Sequence, residues 1–169
     1  MKKVLLSLLI AIVTVTTMSA KVREIFPPFE FNSSYTAIMR EMKAATAWTP
    51  MGEVKGDFEE EKLCSYYNSE RKQSLILLFS SEKLVSIQMS SSQNDNNQIE
   101  EKLLKEKNIE RAKEWTNMTQ LGKEYAKFYK DPETKEVWEF YRGPVSCSIS
   151  IMTGYASVRI AGHFTPPSK

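Results

Sequence analysis

The chain is 169 residues long, with 23 Lys+Arg against 21 Asp+Glu, 41% hydrophobic and 11% aromatic residues. That content excludes a disordered or fibrous chain, and the length suits one domain, or two small intimately packed halves, folding without metals or a disulfide framework. The basic excess is Lys2 and Lys3, both in a segment with the features of a leader, so residues 21–169 are formally neutral and general nucleic-acid binding is disfavoured.

Lys2 and Lys3 open the chain, an apolar run follows from Val4 to Val15, and small and polar residues lead to Ser19-Ala20. This order is the layout of a secretory signal peptide over residues 1–20, with cleavage expected after Ala20. The run falls short of the roughly 20 residues a membrane-spanning helix needs, and no later stretch is apolar for long enough. The expected product is an exported protein, periplasmic or secreted. Its two cysteines, Cys64 and Cys147, are an even count that allows one disulfide in an oxidising compartment. Two small buried core residues are the alternative. Their spacing matches neither a zinc pattern nor a C-x-x-C redox pair.

Residues 21–32 contain Pro27-Pro28 among Phe26, Phe29 and Phe31, which predicts an extended arm. Ser34 to Ala47 reads as a helix capped by Ser33 or Ser34, with Tyr35, Ile38, Met39, Met42 and Ala45 at helical spacing and Pro50 just beyond. Three strands are then predicted. Phe58 to Asn68 carries Leu63, Tyr66 and Tyr67; Ser74 to Phe79 is almost wholly apolar; Leu84 to Ser90 alternates Val85, Ile87, Met89 with Ser86, Gln88, Ser90. Ser90 to Asn97 has no apolar residue and reads as a linker or exposed loop. Gln98 to Trp115, rich in Glu, Lys and Leu, reads as a second helix with a candidate break near Asn108. Strands return at Gly122 to Lys130, Glu136 to Tyr141 and Val145 to Met152, the last alternating Cys147, Ile149, Ile151 with Ser146, Ser148, Ser150. Tyr155 to Ala161 is a candidate final strand before the tail.

The two halves align. Trp48-Thr49-Pro50-Met51 and Trp115-Thr116-Asn117-Met118 each end a predicted helix, and the strands follow at a constant offset of 62, which sets Tyr67 against Tyr129 and the Leu75–Phe79 run against Val137–Tyr141. The expected fold is α+β: a tandem α-β-β-β repeat, residues 33–92 and 93–155, forming a shared antiparallel sheet with the helices packed on one face, and residues 156–169 completing the chain. One such unit alone leaves open sheet edges and too little burial; two share a core.

The chemistry is sparse. His163 is the only histidine and lies in a proline-rich tail, which positions a catalytic base poorly and leaves no histidine-built metal site. Glu59-Glu60-Glu61 and Glu100-Glu101 are charge runs of the kind that usually form solvated faces. No Gly-x-Ser-x-Gly elbow, calcium loop or nucleotide fingerprint occurs. The expectation is a non-enzyme with no metal and no cofactor.

The duplicated pattern is carried by Ala44-Ala45-Thr46-Ala47-Trp48 leading into Leu63–Phe79 and Leu84–Met89, then by Ala112 to Trp115, Tyr125 to Tyr141 and Cys147 to Met152. It resembles tandem PepSY-like modules and the β-lactamase-inhibitor-protein architecture across Ser33 to Met152. The hairpin turns lack Asp-Gly pairs and the first helix is single, which departs from that pattern. The resemblance implies a module that binds or restrains another extracytoplasmic protein or peptide; it transfers no binding residue. Read from the residues, the candidate recognition surface is an open sheet face bearing Ser86, Gln88 and Ser148 with tyrosines drawn from Tyr66, Tyr67, Tyr129 and Tyr141, since tyrosine anchors interfaces well; a plain solvated sheet face is the other reading. Trp48 and Trp115 are read as plugs of the helix-to-sheet junction. A carrier holding a small apolar ligand between helices and sheet is the alternative.

Overall fold

The computed structural model describes residues 29–106 and 109–154; the leader, most of the N-terminal arm, the candidate final strand and His163 lie outside them. The elements run α1 (Tyr35–Ala44), β1 (Thr49–Lys55), β2 (Glu61–Asn68), β3 (Gln73–Ser80), β4 (Lys83–Ser91), α2 (Gln93–Glu106), β5 (Glu110–Thr119), β6 (Gly122–Lys130), β7 (Val137–Arg142) and β8 (Cys147–Met152). One eight-stranded antiparallel sheet, ordered β1-β2-β3-β4-β8-β7-β6-β5, makes this an α+β fold. None of the described helices is long and apolar enough to cross a membrane.

Alternation along the strands gives the sheet two faces. The core face carries Cys64 and Tyr66 of β2, Leu75, Leu77 and Phe79 of β3, Ile87 and Met89 of β4, Ile149 and Ile151 of β8, and Trp138 and Phe140 of β7; these form a single buried cluster with Ile38 and Met42 of α1 and Leu103 of α2. The other face places Ser86, Gln88 and Ser90 against Met152, Ser150 and Ser148 at the central β4–β8 pairing. We call it the serine face.

Helix α1 is tied down at its start. Ser34 is the N-cap, its side chain accepting from the Ala37 N–H, and the Tyr35 N–H donates to the Glu82 carbonyl in the β3–β4 turn at 2.9 Å. The helix ends at Ala44, three residues before the predicted end, because the chain must turn into β1 at Thr49.

Among the described residues, each helix is followed by four strands where the sequence pattern predicts three. Two regions account for the difference. Thr49–Lys55 contains Pro50 and Gly52, both poor in strand interiors, yet β1 is an edge strand whose pairing with β2 shifts register between those two residues, and Gly52 has φ 150°. Residues 110–119, charged in their first half, form the opposite edge, β5, instead of prolonging a helix to Trp115. Edge strands bury little and tolerate charge, so neither shows clear alternation.

Helix α2 starts inside the stretch read as a linker. Ser92 Oγ accepts from the Asp95 N–H at 3.0 Å and donates to Asp95 Oδ2 at 2.7 Å, a reciprocal cap that starts a helix among polar residues. The Ser92-x-x-Asp95 spacing is the signal that the composition of the tract conceals.

The constant offset of 62 also needs correcting. It sets Leu75 against Val137, but Leu75 is on the core face and Val137 is not; the core residue of β7 is Trp138. It likewise pairs Tyr67 with Tyr129, whereas Tyr129 shares the core face with Tyr66. A slip of one residue inverts every side chain of a strand, so the offset fails although the strands themselves are located. The shared Trp-Thr-x-Met phrase is not equivalent either: Trp48 precedes β1 and packs on the core, while Trp115 lies within β5 opposite Ala126.

The two cysteines are free. Cys64 is on β2 and Cys147 on β8, with β3 and β4 between them, so three strand spacings (about 14 Å) separate the strands. A disulfide requires its Cα atoms within about 4.4–6.8 Å. Burial, reinforced by the neighbouring Glu53 carboxyl, pushes the Cys64 thiol up to about 12. It is a protonated core residue.

Candidate functional site: the serine face

A continuous row crosses the middle of the serine face. Tyr67 pairs with Ser74, the Ser74 N–H donates to Ser90 Oγ at 2.7 Å, Ser90 pairs with Ser148, and Ser148 pairs with Tyr141. Three serines therefore form a shallow trough bracketed by two half-buried tyrosines, four strand spacings apart, roughly 19 Å. Gln88 Nε2 donates to Ser148 Oγ at 3.2 Å, which fixes the amide over the trough. Beside this row the surface dips into a recess of about 340 Å³, lined by Ile76 and Gln88 on one side and by Glu139, Tyr141 and Ser148 on the other. Val85, Met152, Leu78 and Val137 form a small apolar cluster flanking it.

The electrostatics of the recess centre on Glu139. It pairs with Phe128 on one side and Ser150 on the other, and burial raises its carboxyl above the ordinary value, opposed by a hydrogen bond from Ser150. Among the described residues, no cation contributes to its environment. The Tyr141 hydroxyl is also raised, first by burial and then by the Glu124 carboxylate to which it donates.

Of the residues singled out from sequence, Tyr67, Tyr141, Gln88 and Ser148 lie together here, and Ser86 lies on the same face but is buried. Tyr66 and Tyr129 do not: both are buried in the core, the Tyr66 hydroxyl against Met39 Sδ at 3.2 Å and the Tyr129 hydroxyl against Glu100. Glu139 is absent from the residues that the sequence pattern singles out. Its signal is nonetheless there, because Trp138 and Phe140 are the obvious core pair and force the residue between them outward.

The carboxylates of the two charge runs part company. Glu59 and Glu60 line a separate cavity of about 620 Å³ at the β1–β2 end, with Glu53, Glu82, Lys55 and Lys62. Among the described residues, no group of three His, Cys, Asp or Glu side chains is placed to hold a metal.

Glu100 is instead the hub of a buried network beneath α2. Its Oε2 accepts from Arg142 Nη2 at 2.6 Å, and its Oε1 accepts from Lys127 Nζ at 3.0 Å and from the Tyr129 hydroxyl. Arg142 also donates through Nε to Asn96 Oδ1 at 2.9 Å and through Nη1 to the Tyr125 hydroxyl at 2.8 Å. Asn96 Nδ2 then reaches the carbonyls of Tyr141 and Ser148, each at 3.1 Å. This network pins α2 to the strands that form one wall of the trough.

Burial alone would raise the Glu100 carboxyl, but hydrogen bonds from Tyr129 and Lys127 and the charges of Lys127 and Arg142 outweigh it and hold it below its ordinary value. A depressed folded-state value stabilises the fold above the unfolded value, about 4.5, and that stability is lost as pH falls through the folded value. Urea unfolding at pH 7 and at pH 3 is expected to show this loss, and Glu100→Gln is expected to flatten it. An unchanged pH slope in the variant assigns acid sensitivity to other carboxylates.

Compared with models of protein families, with curated proteins and with solved structures, the chain matches none.

Proposed function

We propose that this chain is an exported, non-catalytic binding module that recognises another extracytoplasmic protein or peptide through the serine face. The observation that carries the reading is the serine row bracketed by Tyr67 and Tyr141 beside an open recess. Short hydroxyls leave the backbone surface accessible while the two rings supply the large rigid contacts that anchor interfaces. The leader layout of residues 1–20 supports export, and the expected action is to restrain or regulate the partner.

We infer further that the two halves descend from one duplicated unit of a helix and four strands, both helices packing on the core face. Matching registers support this. Pro50, Tyr66, Leu75 and Met89 form one cross-strand row, and Arg111, Tyr129, Trp138 and Ile151 form its counterpart. Both edge pairings shift register at the corresponding place, between Pro50 and Gly52 and between Arg111 and Lys113. Ile38 and Met42 of α1 correspond to Ile99 and Leu103 of α2, all in or against one core cluster. This arrangement suits the resemblance to tandem PepSY-like and β-lactamase-inhibitor-protein-like modules.

The test is capture from the extracytoplasmic fraction on the immobilised protein, repeated with Tyr67→Ala/Tyr141→Ala. The expected result is one saturable partner whose affinity falls about 30-fold or more in the variant, since anchor truncations cost about 2 kcal/mol or more. Thermal unfolding should move little, because both rings are only half-buried. Full retention of the partner by the variant sinks the reading.

A further inference from the structure

The recess straddles the junction of the two halves, and each half lines it with different chemistry. Ile76, Gln88, Ser150 and Glu139 are successive cross-strand neighbours on β3, β4, β8 and β7. Ile76 and Glu139 therefore stand at opposite ends of a four-residue row, three strand spacings or about 14 Å apart. On the duplicated reading they are equivalent positions, the neighbours of Leu75 and Trp138, so one half keeps an aliphatic side chain where the other has a carboxyl. Between them in the row lie Gln88 and Ser150, both neutral and able to donate or accept.

Glu139 is oddly served for a structural residue. A half-buried carboxylate normally has a cation or several donors, and the described surroundings supply the Ser150 hydroxyl and no positive charge. Paired structural carboxylates in this protein look different: Glu100, buried on the core face, has an arginine, a lysine and a tyrosine. A carboxyl that faces an open recess and has no counter-ion among the described residues is complementary to one brought from outside.

We propose that the serine face takes an extended segment of its partner that places a lysine or arginine side chain against Glu139 and an aliphatic side chain against Ile76. An extended chain rises about 3.4 Å per residue and repeats its facing every second residue, so a span of about 14 Å corresponds to positions i and i+4 on one side. The residue at i+2 lies over Gln88 and Ser150 and is small or polar. Tyr67 and Tyr141 flank this path along the neighbouring row. The inference rests on the binding reading above and adds the chemistry of the occupant.

The experiment is selection of phage-displayed random dodecapeptides on the immobilised full chain, followed by anisotropy titrations of one selected synthetic peptide. The expected peptides pair a Lys or Arg with Leu, Ile, Val or Met four residues away. Glu139→Gln, which keeps shape and the Ser150 contact, should weaken the peptide about tenfold or more, as loss of a charged hydrogen-bond partner does. Ser146→Lys, at an exposed position on the recess rim, should weaken it as well by supplying a competing cation, and thermal unfolding checks that both variants fold. Peptides that lack a basic residue, bind Glu139→Gln normally and lose affinity in Tyr67→Ala/Tyr141→Ala overturn this inference while leaving the binding face in place. Peptides indifferent to every one of these variants overturn both, and so does a selection yielding nothing above the bare surface.

Discussion

Arg142→Ala is expected to destabilise the fold by about 3–5 kcal/mol in urea unfolding, because it leaves Glu100 as a buried charge deprived of its closest cation. Glu100→Ala should cost a similar amount for the converse reason. The loss comes from stranding a partner, so removing both charges together is expected to recover most of it. Glu100→Met/Arg142→Met fills the space with apolar groups of comparable length, and on the duplicated reading it approximates the first half, where Met39 and Phe79 stand at the corresponding places. There Met39 already accepts a tyrosine hydroxyl, Tyr66, at 3.2 Å, so Tyr129 has a ready substitute partner. Lys127, more exposed than Glu100 or Arg142, can turn to water. A double variant as unstable as the two single changes added together would show that the network stabilises the fold beyond compensating its own desolvation.

Trp138→Ala should cost about 3–5 kcal/mol, the range for deleting a buried tryptophan. Trp138 is fully buried on β7, between Tyr129 of β6 and Ile151 of β8, inside the cluster that contains residues of both helices. Strands on both sides limit collapse of the cavity, which favours the upper part of the range. A loss below about 1 kcal/mol would mean that the second half folds around other contacts. Trp115→Ala provides the comparison: half-buried on the edge strand β5, it should cost clearly less, although the two residues are equally large.

Several parts of the fold are legible in the amino-acid pattern. It places β6 at Gly122–Lys130, and β3, β4 and β8 to within two residues at their ends, because each buries one face and therefore alternates or runs apolar. The same alternation puts Gln88 and Ser148 on one surface. Composition without burial behind it misleads. Gln98 to Trp115 has the Glu, Lys and Leu content of a helix, and nothing in 110–119 reveals that the segment is an edge strand. Tyr66 and Tyr67 present the same side chain to opposite faces, and adjacency in sequence says only that they differ, not which one enters the core.

Local pattern suffices to make the protein α+β, to make its strands antiparallel and amphipathic, and to give two serine-bearing strands a common character. These properties are written in periods of two and 3.6 along a single strand or helix. Which faces meet is a matter of tertiary packing. Packing sets β4 beside β8, puts Cys64 and Cys147 on strands too far apart to bond, draws Glu100 into a buried network with Arg142, and sets half-buried Glu139 across the recess from Ile76. Each depends on partners tens of residues away, and pairing between distant strands is selected by the summed burial of the whole sheet.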